Sequence, residues 1–161
     1  MEIHEELKDF IEESSEQEKE ALKLFLNSLK TKREKSNLTH IASLLQFETN
    51  QIDDRTLEIT MPNSLILDNS IGIVHGGLTA TLLDTALGTL ASRVPGNKKG
   101  AVTVELKVDF LSPGVGEKFI CHAQVVHNGR QLVRMEGKVR NEKGALIASA
   151  TGTFFKLPDE K

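Results

Sequence analysis

His75-Gly76-Gly77 opens an apolar run, and nine residues after the histidine comes Asp84, the only charged side chain between His75 and Arg93. The whole stretch, Asn69 to Val94, reads NSIGIVHGGLTATLLDTALGTLASRV. An ionised carboxylate is costly to bury unless it is hydrogen-bonded or paired. No Lys or Arg lies one helical turn from Asp84 on either side. Two readings of Asp84 stay open. It is a structural acid bonded to Thr81, Thr85 or a backbone amide, or it is a general base or nucleophile in a low-water cleft.

Gly76 and Gly77 stand where a helix would begin. The first turn of a helix has unsatisfied N–H groups and the positive end of the dipole. Glycines there let a ligand approach the backbone, and such amides stabilise a developing oxyanion. The alternative is a plain glycine turn into the helix, with His75 as a cap. Together, amide donors and a carboxylate suggest acyl transfer. Gly77 and Asp84 are seven residues apart, roughly 10 Å along a helix axis. A carbonyl carbon must lie about 3 Å from both the attacking atom and the oxyanion donors. One helix does not supply both, but two antiparallel helices across a two-fold axis do. This chemistry therefore predicts a homodimer with composite sites.

The elements that must position these groups fall into two regimes, 1–35 and 36–161. In the first, Ile3, Leu7, Phe10 and Ile11 make one helical stripe. Ser15 and Glu18 have capping-box spacing, which starts a second helix carrying Ala21, Leu22, Phe25, Leu26 and Leu29. A third short helix is expected over Leu38 to Leu45. Beyond it, TLEITMP alternates as a strand, and AVTVELKVDFLSP gives an unusually long one. EKFICHAQVVH, LVRMEGKVR and ALIASATGTFFKL follow, separated by the turns NGRQ and NEKG. The last four strands read as an antiparallel meander. The fold class expected is α+β: a curved antiparallel sheet around one long central helix, with an N-terminal helical extension. That helix has almost no charged face, so a partner subunit is expected to cover what the sheet leaves open.

The segment from Asn69 through HGGLTATLLD to Asp84 resembles the hotdog-fold acyl-CoA thioesterases of the phenylacetyl-CoA thioesterase (PaaI) type. VTVELKVDFLSP and NGRQLVRMEGKVRNEKGALIASATGTF are similar to the strands that follow in that family, so the likeness covers roughly Leu38 to Leu157. The resemblance implies a hydrolase that cleaves acyl-CoA without metal or cofactor, as a dimer commonly paired into a tetramer. It makes Asp84 the base or nucleophile and the Gly76 N–H the donor to the thioester carbonyl, with Gly77 beside it. Asn69 would hold water or carbonyl, His75 would shape the site, and Thr103 would assist Asp84. The CoA arm would lie along Phe110, Leu111, Ser112, Pro113, Gly114 and Val115. It would also touch the hairpin Asn128, Gly129, Arg130, Gln131, Leu132 and Val133. Two features depart from the pattern. The N-terminal helices exceed the usual lead-in, and GNKKG (Gly96 to Gly100) is a basic loop read as solvated or as a CoA-phosphate contact.

Composition narrows the alternatives. The 161 residues are 39% hydrophobic, with seven Phe, no Trp or Tyr, and a net charge of −3, which gives no bias toward nucleic acid or anionic membrane. The 17 residues from Gly76 to Ser92 carry Asp84 and four Thr, short of the about 20 apolar residues a membrane span needs. An acidic start without an apolar core argues against a signal peptide, and the lone Cys121 suits a reducing compartment, so a cytoplasmic protein is expected. Histidines 4, 40, 75, 122 and 127 form no HExxH, and no GxSxG or Walker motif occurs. His122 and His127 read as strand-face residues and Cys121 as a packed one. Two competing functions remain: a non-catalytic acyl-CoA binder or sensor, and a hotdog hydratase. A DNA-binding arm is opposed by the first 20 residues, which carry nine acidic and two basic side chains.

Overall fold

The computed structural model describes residues 2–158. The chain divides into two compact units, 1–46 and 47–161. The first holds α1 (Ile3–Glu13), α2 (Glu16–Glu34) and α3 (His40–Leu44). The Ser15–Glu18 capping box forms as the spacing implies: the Ser15 side chain accepts from the Glu18 N–H, and the Glu18 carboxylate accepts from the Ser15 N–H. The Thr39 hydroxyl caps α3 by accepting from the Ala42 N–H at 3.1 Å. α3 packs against α2, so it groups with the leading helices rather than opening the second region at residue 36.

In the second unit, Leu57, Ile59 and Met61 alternate with less buried neighbours along β2 (Thr56–Pro62), and all three are buried. The same period places Phe119, Cys121, Ala123 and Val125 of β4 (Lys118–Asn128) inside, with Val133, Met135 and Val139 of β5 (Leu132–Asn141). β1 (Glu48–Asp53), β3 (Ala101–Phe110) and β6 (Leu146–Lys156) complete one antiparallel sheet of order β1-β2-β4-β5-β6-β3. α4 (Gly76–Arg93) lies against β2, β3, β4, β5 and β6. It buries Leu82, Leu83, Ala86, Leu87, Leu90 and Ala91 there, and each fully buried leucine contributes about 1.5–3 kcal/mol. This is the expected α+β hotdog architecture. No helix among the described residues is long and apolar enough to cross a membrane.

The sheet departs from the sequence reading in three places. The last four strands are not a meander in sequence order. β4, β5 and β6 are, but β3 pairs with β6 and forms a sheet edge. The two hairpin turns join β4 to β5 and β5 to β6, whereas the β3–β4 link carries Pro113 and is held at Val74, whose N–H donates to the Gly114 carbonyl at 3.0 Å. The second change is β1, which the sequence conceals. ETNQID has no apolar alternation because all six residues are exposed on the other edge.

A β-bulge at Val104 breaks the register of β3, with Thr103 opposite Phe154 and Glu105 opposite Thr153. Thr103 and Leu106, three apart, therefore share the face toward α4. The expected unbroken alternation from Val102 to Phe110 does not hold, and Val102 and Val104 are exposed.

α4 sits close because β5 has a glycine beneath it. A Cβ on Gly137 would stand 3.0 Å from Leu87 Cδ2 and 3.2 Å from Leu83 Cδ2. Overpacking a core of this kind costs about 1–3 kcal/mol. Gly137→Val is expected to lower the unfolding free energy by that amount, read as a lower urea midpoint at unchanged slope, with Gly137→Ala intermediate. An unchanged midpoint for the valine variant would mean that α4 does not rest on β5 as described.

Candidate active site

His75 caps α4. Its Nδ1 accepts from the Gly77 N–H at 2.9 Å, and its carbonyl accepts from Leu78 and Thr79. The cap satisfies the Gly77 amide, which removes it as a free donor. The Gly76 N–H has no acceptor among the described residues. It lies at the positive end of an 18-residue helix. A Cβ on Gly76 would lie 3.4 Å from the Phe110 ring, so the glycine keeps the backbone open beside that ring.

A cleft of about 390 Å³ opens here, lined by Asn69, Gly76 and Thr79 with Phe110, Leu111, Ser112, Pro113 and Gly114. Asn69 Oδ1 is already engaged, accepting from the Ile71 and Ile73 amides at 2.9 and 3.4 Å. It shapes the turn into the helix, and only its amide nitrogen remains for a ligand. Val115 is not part of the lining; its carbonyl accepts from Asn141 Nδ2 at 2.9 Å. Thr79 is the residue missed in the sequence. It is 4% exposed and one turn beyond Gly76, a spacing of i, i+3 that puts both on one side of the helix.

Asp84 is half-buried and lines a second cleft of about 530 Å³, with Thr85, Gly88, Thr89, Ser92, Arg93 and the start of β3. Its Oδ1 accepts a hydrogen bond from the Thr103 hydroxyl at 2.8 Å. The partner thus comes from the bulged strand. Thr81, a neighbour considered for this bond, donates instead to the Gly77 carbonyl at 2.9 Å. Gly76 and Asp84 are eight residues apart on one helix, about 12 Å, and they line different clefts.

The hairpin Asn128 to Val133 lies at the far end of α4. Asn128 Nδ2 donates to the Pro95 carbonyl at 3.2 Å, just past the helix, and Lys156 Nζ donates to the Gly129 carbonyl at 2.8 Å. Arg130 and Gln131 are exposed, Leu132 is 47% exposed, and the Val133 side chain is fully buried in the core. Within one chain the hairpin and the Phe110–Gly114 segment are not brought together. His122 faces outward with Nδ1 3.4 Å from Glu58 Oε1, and no cluster of three metal-ligating side chains occurs among the described residues.

The thioesterase superfamily pattern matches residues 71–148, which hold His75, Gly76, Asp84 and Thr103. Mouse acyl-coenzyme A thioesterase 13 is 31% identical over 108 residues, covering 61% of this chain and 76% of the mouse protein. The chain belongs to the thioesterase superfamily. The medium/long-chain acyl-CoA thioesterase YigI of Escherichia coli is 30% identical over 96 residues, 52% of this chain, and the match spans only 62% of that relative's length. A Bacillus halodurans protein crystallised with CoA superimposes with a TM-score of 0.84 at 36% identity, covering 95% of this chain and 99% of that one. The PaaI protein of Escherichia coli, at 23% identity and a TM-score of 0.71 over 84% of this chain and 96% of its own, shares the fold.

In this thioesterase-superfamily fold Cys121 is packing, as its place in the β4 alternation implies. Burial pushes its thiol from the ordinary value of 9.0 up to about 12. A raised native pKa favours the folded state fully below about pH 9, and that contribution is lost as pH climbs toward 12. Two results are expected: no labelling of the native protein by a thiol reagent at pH 8, and an alkaline loss of stability that is smaller in Cys121→Val. Rapid native labelling would contradict the buried placement.

Proposed function

We propose that this chain hydrolyses acyl-CoA thioesters at sites shared between two subunits. The observation that carries the reading is the separation of two half-sites on α4: an open amide at Gly76 in one cleft, and the Asp84–Thr103 pair in another. The midpoint between them falls at Ala80, on a face made of Gly77, Ala80, Thr81 and Asp84. Such small side chains suit a close antiparallel approach of a second α4. A two-fold axis there sets Gly76 of one chain opposite the partner's Asp84. The unpaired edge of β3 offers a second contact, continuing the sheet from one subunit to the next.

In that arrangement the thioester carbonyl oxygen faces the Gly76 N–H, and Asp84 acts on the carbonyl carbon as base through water, or directly as nucleophile. Thr103 holds the carboxylate in place. In the base route Asp84 takes the proton of the attacking water, and charge develops on the oxygen against the amide. Collapse breaks the C–S bond, and the proton passes to the departing CoA sulfur. The Phe110–Gly114 edge and the Asn128–Leu132 turn, with Arg130 and the Gly96–Gly100 loop, suit the CoA arm. A tetramer of such dimers and a reducing cytoplasm, fitting the unpaired Cys121, complete the proposal.

The test is thioester hydrolysis read by thiol release across acetyl, medium-chain, long-chain and aryl CoA. Asp84→Asn is expected to lower kcat by about 10²–10⁴ on every substrate while CoA binding and subunit assembly persist. Thr103→Val is expected to lose roughly tenfold or more, the worth of a hydrogen bond to a charged acceptor. Wild-type turnover by Asp84→Asn would remove the catalytic role of that residue. Tight binding of acyl-CoA without hydrolysis by the wild-type chain would favour a sensing protein instead.

A further inference from the structure

α1 cannot stand alone. It has 11 residues, no side-chain cap and no buried residue, while isolated helices shorter than about 12–15 residues are marginal in water. Its stripe of Ile3, Leu7, Phe10 and Ile11 is exposed, as are Phe25, Leu26 and Leu29 on α2. Charge divides these helices. α1 carries Glu5, Glu6, Asp9, Glu12 and Glu13 against one lysine, Lys8. The start of α2 carries Glu16, Glu18 and Glu20 with Lys19, and from Lys23 onward it carries Lys23, Lys30, Lys32 and Arg33 against Glu34.

Folding α1 back onto the α2 of its own chain is the obvious way to cover it, and it fits poorly. The two helices are joined only through the extended residues Ser14 and Ser15. An antiparallel hairpin about that joint sets Phe10 and Ile11 opposite Lys19 and Glu18, and Glu13 opposite Glu16. In that register α1, about 16 Å long, meets the apolar centre of α2 only through Leu7 at Leu22 and Ile3 at Leu26, and it leaves Leu29 and the basic end uncovered. A helix from another chain has no such tether. Shifted along α2, it pairs Leu7 with Leu29, Phe10 with Leu26 and Ile11 with Phe25. The same register places Glu6 beside Lys30 and Glu13 beside Lys23, and it opposes the two helix dipoles favourably.

We infer that α1 of one chain seats antiparallel on the Lys23–Arg33 half of α2 in a second copy, an exchange of helices between subunits. This is independent of the thioesterase reading and of the contact proposed through α4. The test uses full-length chains with different tags, co-expressed, one carrying Phe10→Cys and the other Leu26→Cys, treated with a short bis-maleimide. The buried Cys121 stays silent. A covalent dimer carrying both tags is expected, at least about tenfold above a Phe10→Cys and Lys19→Cys pair placed on separate chains. Lys30→Glu is expected to reduce the yield, and Glu6→Lys on the other chain to restore it, as charge pairing across the contact requires. No product with both tags, or a predominant intrachain adduct in a single chain carrying Phe10→Cys and Lys19→Cys, would overturn the inference. So would a yield indifferent to the charge reversals.

Discussion

An α-helix rises about 1.5 Å per residue, and on α4 that spacing sets how far Gly76 stands from Asp84. Gly76 holds its free amide at the first position of the helix, and Asp84 follows two turns later. In the proposed reaction the amide and the carboxylate act on one carbonyl, and no side-chain rearrangement closes the about 12 Å between them. The same distance keeps the Gly76 cleft and the Asp84 cleft separate within one chain. The face of α4 left open by the sheet is small and partly polar, and Asp84 stands on it.

The sheet supports this arrangement in two ways. Gly137 allows α4 to settle onto β5, which sets the height of the helix over the sheet. The bulge in β3 then aims Thr103 at Asp84. Without the extra residue, Thr103 would share its face with Glu105 and point away from the helix. His75 contributes at the other end. By taking the Gly77 amide as a cap it leaves the Gly76 amide as the open donor, so the two glycine amides are not equivalent.

Much of this was legible in the residues. The lone acid in an apolar helix, the glycine pair and the period-two strands are local signals, and local signals survive in one sequence. The Ser15–Glu18 cap followed from spacing, and the packed place of Cys121 from the absence of an activating base near it in sequence. What was hidden depends on pairing across distance. β1 has no apolar face to betray it. β3 reads like the first strand of a meander, because nothing in its own residues says that β6 is its neighbour. The bulge at Val104 is invisible because valine suits either phase. Thr79 was within reach, since i, i+3 spacing from Gly76 marks it, but a threonine in a helix rarely draws notice. The role of Asn69 as a brace for the turn needed coordinates, because the same residue type serves equally well to hold a ligand.

Sites shared between subunits allow two inactive variants to complement each other. Asp84→Asn removes the carboxylate. Gly76→Pro removes the amide with little disturbance: proline is tolerated at the first helical position, and His75 before it is already extended at φ −62° and ψ 130°, as a residue preceding proline must be. Co-assembled in equal amounts, the two chains form mixed dimers in which one site keeps both groups. The mixture is expected to regain about a quarter of wild-type thioester hydrolysis, since half the dimers are mixed and each has one intact site. Activity no higher than that of either variant alone, in samples shown to contain mixed dimers, would contradict it.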